Sequence, residues 1–201
     1  MSKLPADSSG PPVDLAGYEV LVCVCGGIAA YKVCAVVSEL AQRGAGVSVA
    51  MSPAATRFVQ PLTFEALSAR PVLLSLWDAP DAADVQHIRR TEDADLLVVA
   101  PATADIIGKI ASGLADDVVS TLVISTASPV LLVPAMNNRM WDNPIAQRNV
   151  QTLKGFGYSF LGPASGWLAC RSVGPGRMVE AREIVDQAVT MLKSRPPKSS
   201  K

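Results

Sequence analysis

The stretch VLVCVCGGIAAYKVCAVVSELAQRG, residues 20–44, decides the class of fold. Residues 20–25 form an apolar run of strand length that ends at Gly26-Gly27. From residue 28 to 43 the apolar residues recur with the period of a helix, and Gly44 follows as a stop signal. A strand, a tight turn and a helix in this order predict the first unit of an α/β fold.

The same alternation continues along the chain. Further strands are predicted at residues 47–51, 96–100, 130–133 and 158–161. Further helices are predicted at residues 53–59, 104–111, 116–125, 144–155 and 180–193. Residues 70–94 and 162–176 show no clear period, and we interpret both as loops, the first with short elements. Strands that alternate with helices predict a doubly wound parallel sheet whose ligands bind at the carboxyl ends of the strands.

Length and composition indicate one domain. The chain has 201 residues, of which 49% are hydrophobic, so it can bury one substantial core. Residues 1–17 are rich in Pro, Ser and Gly without an apolar run, and we interpret them as a disordered N-terminal tail. We interpret the polar residues 194–201 as a C-terminal tail, and we expect residues 18–193 to form the folded domain.

Charge and hydropathy exclude two classes of partner. The formal net charge is zero, so no basic field exists to hold nucleic acid. Apolar stretches are broken by Pro, Gly or Asp well before the roughly 20 residues that a spanning helix needs. We therefore expect no nucleic-acid partner, no membrane association and a cytoplasmic location.

The four cysteines do not form a recognisable metal or disulfide pattern. Their spacing, at Cys23, Cys25, Cys34 and Cys170, matches neither a zinc site nor a CxxC motif, so we expect no metal and no disulfide. Cys23 and Cys25 alternate with valines and are expected in the core. Cys170 lies in a polar loop, where its thiol should be reachable.

Small and hydroxyl residues follow three of the predicted strands. The turn at Gly26-Gly27 places backbone N–H groups beside a helix N-terminus, where a phosphate or a flavin ring edge can approach. Ser52 and Thr103 follow two other strands, at the same rim of the sheet. The alternative for the glycines is a turn that simply needs a positive φ.

Two further polar residues are candidates for chemistry. His87 is the only histidine, and its side chain titrates near neutral pH without any perturbation. Asn137 follows a strand, where an amide can orient a carboxylate. Each also has an ordinary explanation, because a lone loop histidine is usually solvated and an asparagine after a strand is common in turns. Met140 would by default be a packing residue.

Five segments together resemble the homo-oligomeric flavin-containing cysteine decarboxylases. The resemblance extends from about Tyr18 to Lys193, and its Pro-x-Met-Asn-x-x-Met-Trp motif is highly specific. The segments are GGIAAYK (26–32), His87-Ile88, APATA (100–104), PAMNNRMW (134–141) and residues 169–178 from Ala-Cys to Gly-Pro-Gly-Arg-Met.

The resemblance implies a flavodoxin-like, three-layer α/β/α fold that binds FMN. His87 would be the active-site base, Asn137 would hold the substrate carboxylate beside Met140, and Cys170 would donate a proton late in the cycle. The family assembles in trimers or larger assemblies of trimers, with each flavin at a subunit contact. The residues implied around FMN are Gly26, Gly27, Ile28, Ser52, Phe58, Thr103, Ala104, Asp105, Ile106 and Ala135.

Within the family, the motifs are most similar to those of members that act on 4'-phosphopantothenoylcysteine. The implied reaction is FMN-dependent decarboxylation to 4'-phosphopantetheine in coenzyme A biosynthesis. It proceeds through flavin oxidation to a thioaldehyde, loss of CO2 and re-reduction of the resulting enethiol.

Three alternatives stay open on the same scaffold. A peptidyl-cysteine decarboxylase would stop at an aminoenethiol on a ribosomal precursor peptide, and it would not need the thiol of Cys170. A flavin prenyltransferase is disfavoured by the motifs around His87 and Asn137. A non-enzymatic flavin-binding regulator would usually carry long acidic extensions, which this sequence lacks.

The sequence departs from the family pattern at three points. Glu92 stands where the family often has an arginine five positions after the histidine. Asp105 replaces a familiar asparagine, and Cys170-Arg171-Ser172 replaces the usual Cys-Gly-Asp. Flavin and phosphate contacts at these positions are therefore not carried over.

Overall fold

The computed structural model describes residues 13–77 and 91–198. Its strands are β1 (Glu19–Val24), β2 (Gly46–Met51), β3 (Leu96–Ala102), β4 (Val130–Pro134), β5 (Ser159–Phe160), β6 (Ala164–Trp167) and β7 (Val173–Arg177). Its helices are α1 (Ala30–Gln42), α2 (Pro61–Ser68), α3 (Ala104–Ala111), α4 (Val118–Ser125), α5 (Asn138–Trp141), α6 (Pro144–Gly155) and α7 (Ala181–Lys193).

Five of the strands form one parallel sheet in the order β2-β1-β3-β4-β5. This is the flavodoxin-like order, and the prediction of a doubly wound sheet is confirmed. The strand order reverses between β1 and β3, so the loops that follow these two strands diverge to opposite faces of the sheet. Ligands bind in the crevice that opens at such a point.

Helices cover both faces of the sheet, and β1 shows how the sequence achieves this. Val20, Val22 and Val24 pack on one side with α1, α2 and α7. Leu21 and Cys23 pack on the other side with α3, α4 and α6. A strand that is buried on both faces must be apolar at every position, which explains the unbroken run in the sequence.

The expectation that Cys23 and Cys25 belong to the core is confirmed, since their exposed fractions are 0% and 2%. Burial raises the pKa of both thiols far above its ordinary value, so they stay protonated. Neither thiol is suited to redox or nucleophilic chemistry.

The helix predicted directly after β2 is wrong. Ser52 directly follows β2; its N–H donates to the Val24 carbonyl, and its Oγ accepts from the Ala55 N–H at 3.3 Å. The chain then makes a single 3₁₀ turn at Ala55–Arg57. The α-helix starts only at Pro61, where a proline occupies the first turn.

The loop predicted over residues 162–176 contains a β-hairpin. Strands β6 and β7 pair antiparallel, with Trp167 opposite Val173. This part of the prediction was wrong because Gly, Pro and Ser dominate both strands, and such residues carry no strand signal.

Both ends of the described chain contact the body of the fold. The Tyr18 hydroxyl donates to the Arg195 carbonyl at 2.9 Å, and the Lys198 ammonium donates to Ser128 Oγ at 2.8 Å. Most of the predicted N-terminal tail (1–12) and residues 199–201 lie outside the described residues. No helix within 13–77 or 91–198 is both long and apolar enough to cross a bilayer.

Candidate active site

A cleft of about 1010 Å³ opens at the carboxyl ends of β1 to β4, at the switch point of the sheet. Its walls are the loops that follow these four strands and the hairpin β6–β7, which closes one side. The parallel sheet brings together polar residues that are far apart in the sequence, as the strand-end argument predicted.

Gly26 lets two of these loops touch. A Cβ at Gly26 would collide with the Cβ of Ala54 and would lie 2.9 Å from the Ala54 carbonyl carbon. The backbone φ of Gly26 and Gly27 is not positive, so the turn does not need glycine for its conformation. The reason for glycine at Gly26 is space, and a side chain there would push the loop after β2 out of the cleft wall.

Backbone donors lie at the start of α1. The Gly27 N–H donates to the Cys25 carbonyl at 3.0 Å, and the Ala30 N–H donates to the Gly27 carbonyl. The N–H groups of Ile28 and Ala29, between them, have no acceptor within the part of the chain that the structure describes. These free donors precede the positive end of the helix dipole, which is the arrangement that binds a phosphate.

Thr103 and its neighbours form the wall after β3. The Thr103 Oγ1 caps α3 by accepting from the Ile106 N–H at 3.4 Å. Ala104, Asp105 and Ile106 follow on the first turn of α3 and line the cleft. Ile106 is buried, whereas Asp105 is exposed.

Asn137 is held in a defined orientation. Its side-chain oxygen caps α5 by accepting from the Met140 N–H at 2.9 Å. Because the oxygen is committed to this cap, the side-chain NH2 group is left to donate, and Asn137 lines the cleft. An amide in a cleft wall whose NH2 group is left to donate is suited to hold a carboxylate, and Met140 lines the same cleft.

The hairpin is fixed to the Asn137 loop. The Met136 N–H donates to the Gly176 carbonyl at 2.9 Å. Gly176 has a φ of +126°, and a Cβ there would collide with the Met136 carbonyl oxygen. The hairpin therefore carries Cys170 to the cleft, where its exposed thiol forms part of the lining.

Sequence reasoning missed a charged group at the end of α3. The Lys109 ammonium lies 2.9 Å from Asp117, 3.1 Å from Asp116 and 3.6 Å from Asp105. The hydrogen bond that Lys109 donates to the Asp117 carboxylate is the main cause that raises the pKa of Lys109. Burial opposes ionisation of Asp117, but donation from the Ser120 N–H and Lys109 outweighs it and lowers the pKa of that carboxyl. Three carboxyl groups thus surround one ammonium group in this wall of the cleft.

A second group missed from the sequence joins α1 to the hairpin. The Lys32 ammonium and the Arg177 guanidinium both pair with the Glu180 carboxylate, at 3.0 and 2.6 Å. Both cations line the cleft. Lys32 carries a signal in the sequence, because it is the one charged residue in the apolar stretch 20–38.

The structure brings most of the predicted site residues together. Phe58 does not line the cleft, and it is 48% exposed beside the 3₁₀ turn. His87 lies outside the described residues. The predicted residues that line the cleft are Gly26, Gly27, Ile28, Ser52, Thr103, Ala104, Asp105, Ile106, Ala135, Asn137, Met140 and Cys170.

Comparison with known proteins gives a consistent result. A family model described as "Flavoprotein" matches residues 8–193. The coenzyme A biosynthesis bifunctional protein CoaBC of Bacillus subtilis (strain 168) is 47% identical over 169 residues, which are 84% of this chain and 42% of that protein. The chain thus spans less than half the length of the curated relatives it matches.

Two solved structures of similar fold are close to full-length matches. A PPC decarboxylase with a cysteine-to-serine substitution, complexed with pantothenoylaminoethenethiol, aligns with a TM-score of 0.79 and 27% identity. The alignment covers 88% of this chain and 98% of that one. The FMN-dependent cysteine decarboxylase SpaF aligns with a TM-score of 0.76 and 28% identity over 89% of this chain and 98% of its own.

Proposed function

The chain belongs to the flavoprotein family, and from this premise we propose that it is an FMN-dependent decarboxylase of 4'-phosphopantothenoylcysteine. The product would be 4'-phosphopantetheine, an intermediate of coenzyme A biosynthesis. The observation that carries the proposal is the cleft at the switch point, where Asn137 presents its amide donors and Cys170 presents a thiol.

The residues present fit FMN. The open N–H groups of Ile28 and Ala29 suit its phosphate, and the space kept by Gly26 lets a ligand lie against the loops after β1 and β2. Ser52, Thr103 and the first turn of α3 would complete the walls. When bound, FMN supplies a two-electron acceptor that stores a hydride and gives it back before the product leaves.

Decarboxylation of cysteine needs such an acceptor. Direct loss of CO2 would leave an unstabilised carbanion, whereas a thioaldehyde formed from the CH–CH2–SH unit can accept the electrons of the C–C bond. The resulting enethiol then needs a hydride and a proton to become the saturated thiol. Because the hydride is returned, the overall reaction consumes no external oxidant.

Three side chains would handle the carboxylate and the protons. The amide of Asn137 would hold the substrate carboxylate, and Met140 beside it would contact the substrate. We assign the base to His87 on the strength of the family resemblance alone, since it is not among the described residues. The thiol of Cys170, on the hairpin, would protonate the enethiol.

The chemistry of Cys170 favours this reading over a peptidyl-cysteine decarboxylase. An enzyme that stops at the aminoenethiol has no use for a proton donor at the reduction step. Here the hairpin is built to bring a thiol to the cleft, with Gly176 packed on Met136 to anchor it. A regulator without catalysis would not need this arrangement either.

The proposal includes the assembly and the location. We infer trimers, or larger assemblies of trimers, with each cleft at a subunit contact, and a small-molecule substrate rather than a nucleic acid or a membrane. A cytoplasmic location fits the four free cysteines, which would stay reduced there.

The test is a product assay with a matched pair of variants. Asn137→Asp keeps the capping oxygen but removes the amide donors and places a negative charge beside the substrate carboxylate, so turnover should fall by about 100-fold or more. Asn143→Asp makes the same change at the cap of α6, where Oδ1 accepts from the Ile145 N–H, and should leave turnover unchanged.

Mass spectrometry of the products decides the outcome. The unmodified protein with FMN should convert 4'-phosphopantothenoylcysteine to 4'-phosphopantetheine. Equal rates for Asn137→Asp and the unmodified protein would remove the assigned role of the amide. Release of enethiol only, together with a preference for peptides ending in cysteine, would establish the alternative.

A further inference from the structure

The tip of the hairpin holds two side chains together. The Leu168 N–H donates to the Ser172 carbonyl at 2.8 Å, and the Arg171 N–H donates to the Leu168 carbonyl at 2.9 Å. Arg171 adopts a left-handed conformation, with a φ of +62°, which closes this tight turn. The turn places the Cys170 Sγ and the Ser172 Oγ 3.1 Å apart.

This contact is particular to Cys170. Cys23 and Cys25 are buried among apolar residues, and within the described chain no other cysteine has a hydroxyl at hydrogen-bonding distance. Cys170 is also the one cysteine on the hairpin, and its side chain lines the cleft whereas Ser172 does not. The hydroxyl is therefore a direct neighbour of the thiol without being part of the cleft lining.

We propose that Ser172 is a positioning residue that holds the Cys170 thiol over the cleft and stabilises the sulfur after its proton has left. The proposal rests on the proposed function, because it deepens the role of Cys170 as the proton donor. Ser172 stands where the family often has an aspartate, so the partner of the thiol in this chain is neutral.

A hydroxyl suits this role because it can both accept and donate a hydrogen bond. Its oxygen accepts a hydrogen bond from the thiol, and after rotation its O–H donates to a thiolate. Hydrogen bonds to a charged group are stronger than those between neutral groups, so the contact favours the deprotonated sulfur. A carboxylate at the same place would instead repel the thiolate.

The proton-transfer step balances with the groups already named. The S–H bond of Cys170 breaks, its electron pair stays on the sulfur, and the proton forms a C–H bond at one carbon of the enethiol. The other carbon receives the hydride that was taken from the substrate earlier in the same turnover. The thiolate, held by the Ser172 hydroxyl, then regains a proton from water.

The first measurement follows the reactivity of the thiol and does not depend on turnover. The holoenzyme is alkylated with iodoacetamide from about pH 6 to about pH 10, and the peptide that contains Cys170 is quantified by mass spectrometry. In Ser172→Ala the midpoint of the pH profile should move upward, and alkylation near pH 7 should slow by about 3- to 10-fold. Ser172→Thr, which restores a hydroxyl, should recover the original profile.

The control variant is Ser165→Ala, because Ser165 lies on strand β6 of the same hairpin, is exposed and does not line the cleft. Its alkylation profile should match that of the unmodified protein. An unchanged profile in Ser172→Ala would overturn the proposal, and so would a shift that Ser172→Thr fails to reverse.

The second measurement separates this inference from the proposed function. With 4'-phosphopantothenoylcysteine as substrate, Ser172→Ala should release CO2 normally but accumulate more enethiol relative to 4'-phosphopantetheine. If the unmodified protein does not decarboxylate this substrate, the proposed function fails, whereas the alkylation profile still tests the contact. If decarboxylation occurs and Ser172→Ala gives the same product ratio and alkylation profile as the parent, only the role of Ser172 fails.

Discussion

At the residue scale, Gly26 shows how one missing side chain shapes the cleft. The loops after β1 and β2 approach until the Gly26 Cα meets Ala54, and no Cβ fits between them. The neighbouring Gly27 has more room, since a Cβ there would lie 3.6 Å from Pro101 Cγ and Thr103 Cγ2, which is ordinary contact. The contact between the two loops therefore requires a glycine at Gly26 but not at Gly27.

We expect Gly26→Ala to lower the free energy of unfolding by about 1–3 kcal/mol, because the added methyl must displace the backbone at Ala54. The variant should also bind FMN more weakly, since the loop after β2 moves. Gly27→Ala should change stability by less than about 0.5 kcal/mol in the protein without FMN. Urea unfolding and flavin titration measure both effects, and equal stability losses in the two variants would contradict this account.

The sequence predicted the location of the site better than its electrostatics. Gly26, Ser52, Thr103 and Asn137 each follow a strand, and parallel strands end at one edge, so a one-dimensional pattern implies their proximity. The contacts of Lys109 with Asp116 and Asp117 depend on how α3 meets α4. The packing of α3 against the start of α4 is a tertiary contact, and no pattern of neighbouring residues in the sequence predicts it.

At the element scale, the helix predicted after Ser52-Pro53 does not form, and the helix that does form, α2 at Pro61–Ser68, was not predicted. Ser-Pro at 52–53 and Gln-Pro at 60–61 both offer a proline at a helix start, but only the second opens a helix. The Ser52 N–H still donates to the Val24 carbonyl at the end of β1, so the chain makes a tight turn after Ser52 instead of starting an α-helix. The hairpin β6–β7 was missed because its turn is closed by Arg171 in a left-handed conformation, rather than by a glycine or asparagine.

The end of α2 offers a test of backbone strain outside the cleft. Ala69 caps this helix in a left-handed conformation, with a φ of +54°. Ala69→Gly should raise the free energy of unfolding by about 0.5–1 kcal/mol, because glycine adopts this conformation without a Cβ penalty.

The matched control is Ala35→Gly, which makes the same substitution at an exposed position in the middle of α1. It should lower the free energy of unfolding by about 1 kcal/mol, since glycine disfavours a right-handed helix interior. Chemical unfolding of both variants checks the opposite signs, and a loss of stability in Ala69→Gly would show that the strain is absent.

The Asp14 carboxylate accepts hydrogen bonds from the ends of two helices and should make the stability of the fold depend on pH. Asp14, before β1, accepts two hydrogen bonds from Arg43 at the end of α1, at 2.8 and 2.7 Å, and a third from Lys193 at the end of α7. Donation from Arg43, followed by that from Lys193, holds the pKa of Asp14 well below its ordinary value. The folded state thus binds this proton more weakly than the unfolded chain.

The sign of the effect follows from linkage. The stabilisation is complete above the ordinary pKa of an aspartate, about 3.9, and is lost as the pH falls below it. Asp14→Asn should cost about 1 kcal/mol at pH 7, and the difference from the unmodified protein should shrink as the pH falls through about 4 toward 2. Thermal unfolding across this range measures it, and a difference that stays constant with pH would exclude Asp14 as its source.

At the scale of the whole molecule, the cleft is bordered by apolar side chains that the single chain leaves in water. Ile28 and Tyr31 are both 61% exposed and line the cleft, and Leu62 is 73% exposed at the start of α2, which contacts α1. Large exposed apolar groups beside a binding cleft are typical of a protein interface. We therefore expect a neighbouring subunit of the proposed assembly to contact this surface.

The last prediction concerns this surface. Leu62→Glu puts a charge at an exposed position, so the fold should survive, but burying that charge in a contact between subunits is costly. Light scattering should then show trimers for the unmodified protein and a species of about 21.0 kDa for Leu62→Glu. Because each cleft would lose one wall, the variant should also release FMN while keeping its far-UV circular dichroism. The control is Phe156→Glu, since Phe156 is 76% exposed at the end of α6, on the opposite face of the sheet, and this variant should stay assembled. An unmodified protein that is monomeric and fully active would refute the assembly, and a Leu62→Glu protein that remains trimeric would place the subunit contact elsewhere on the surface.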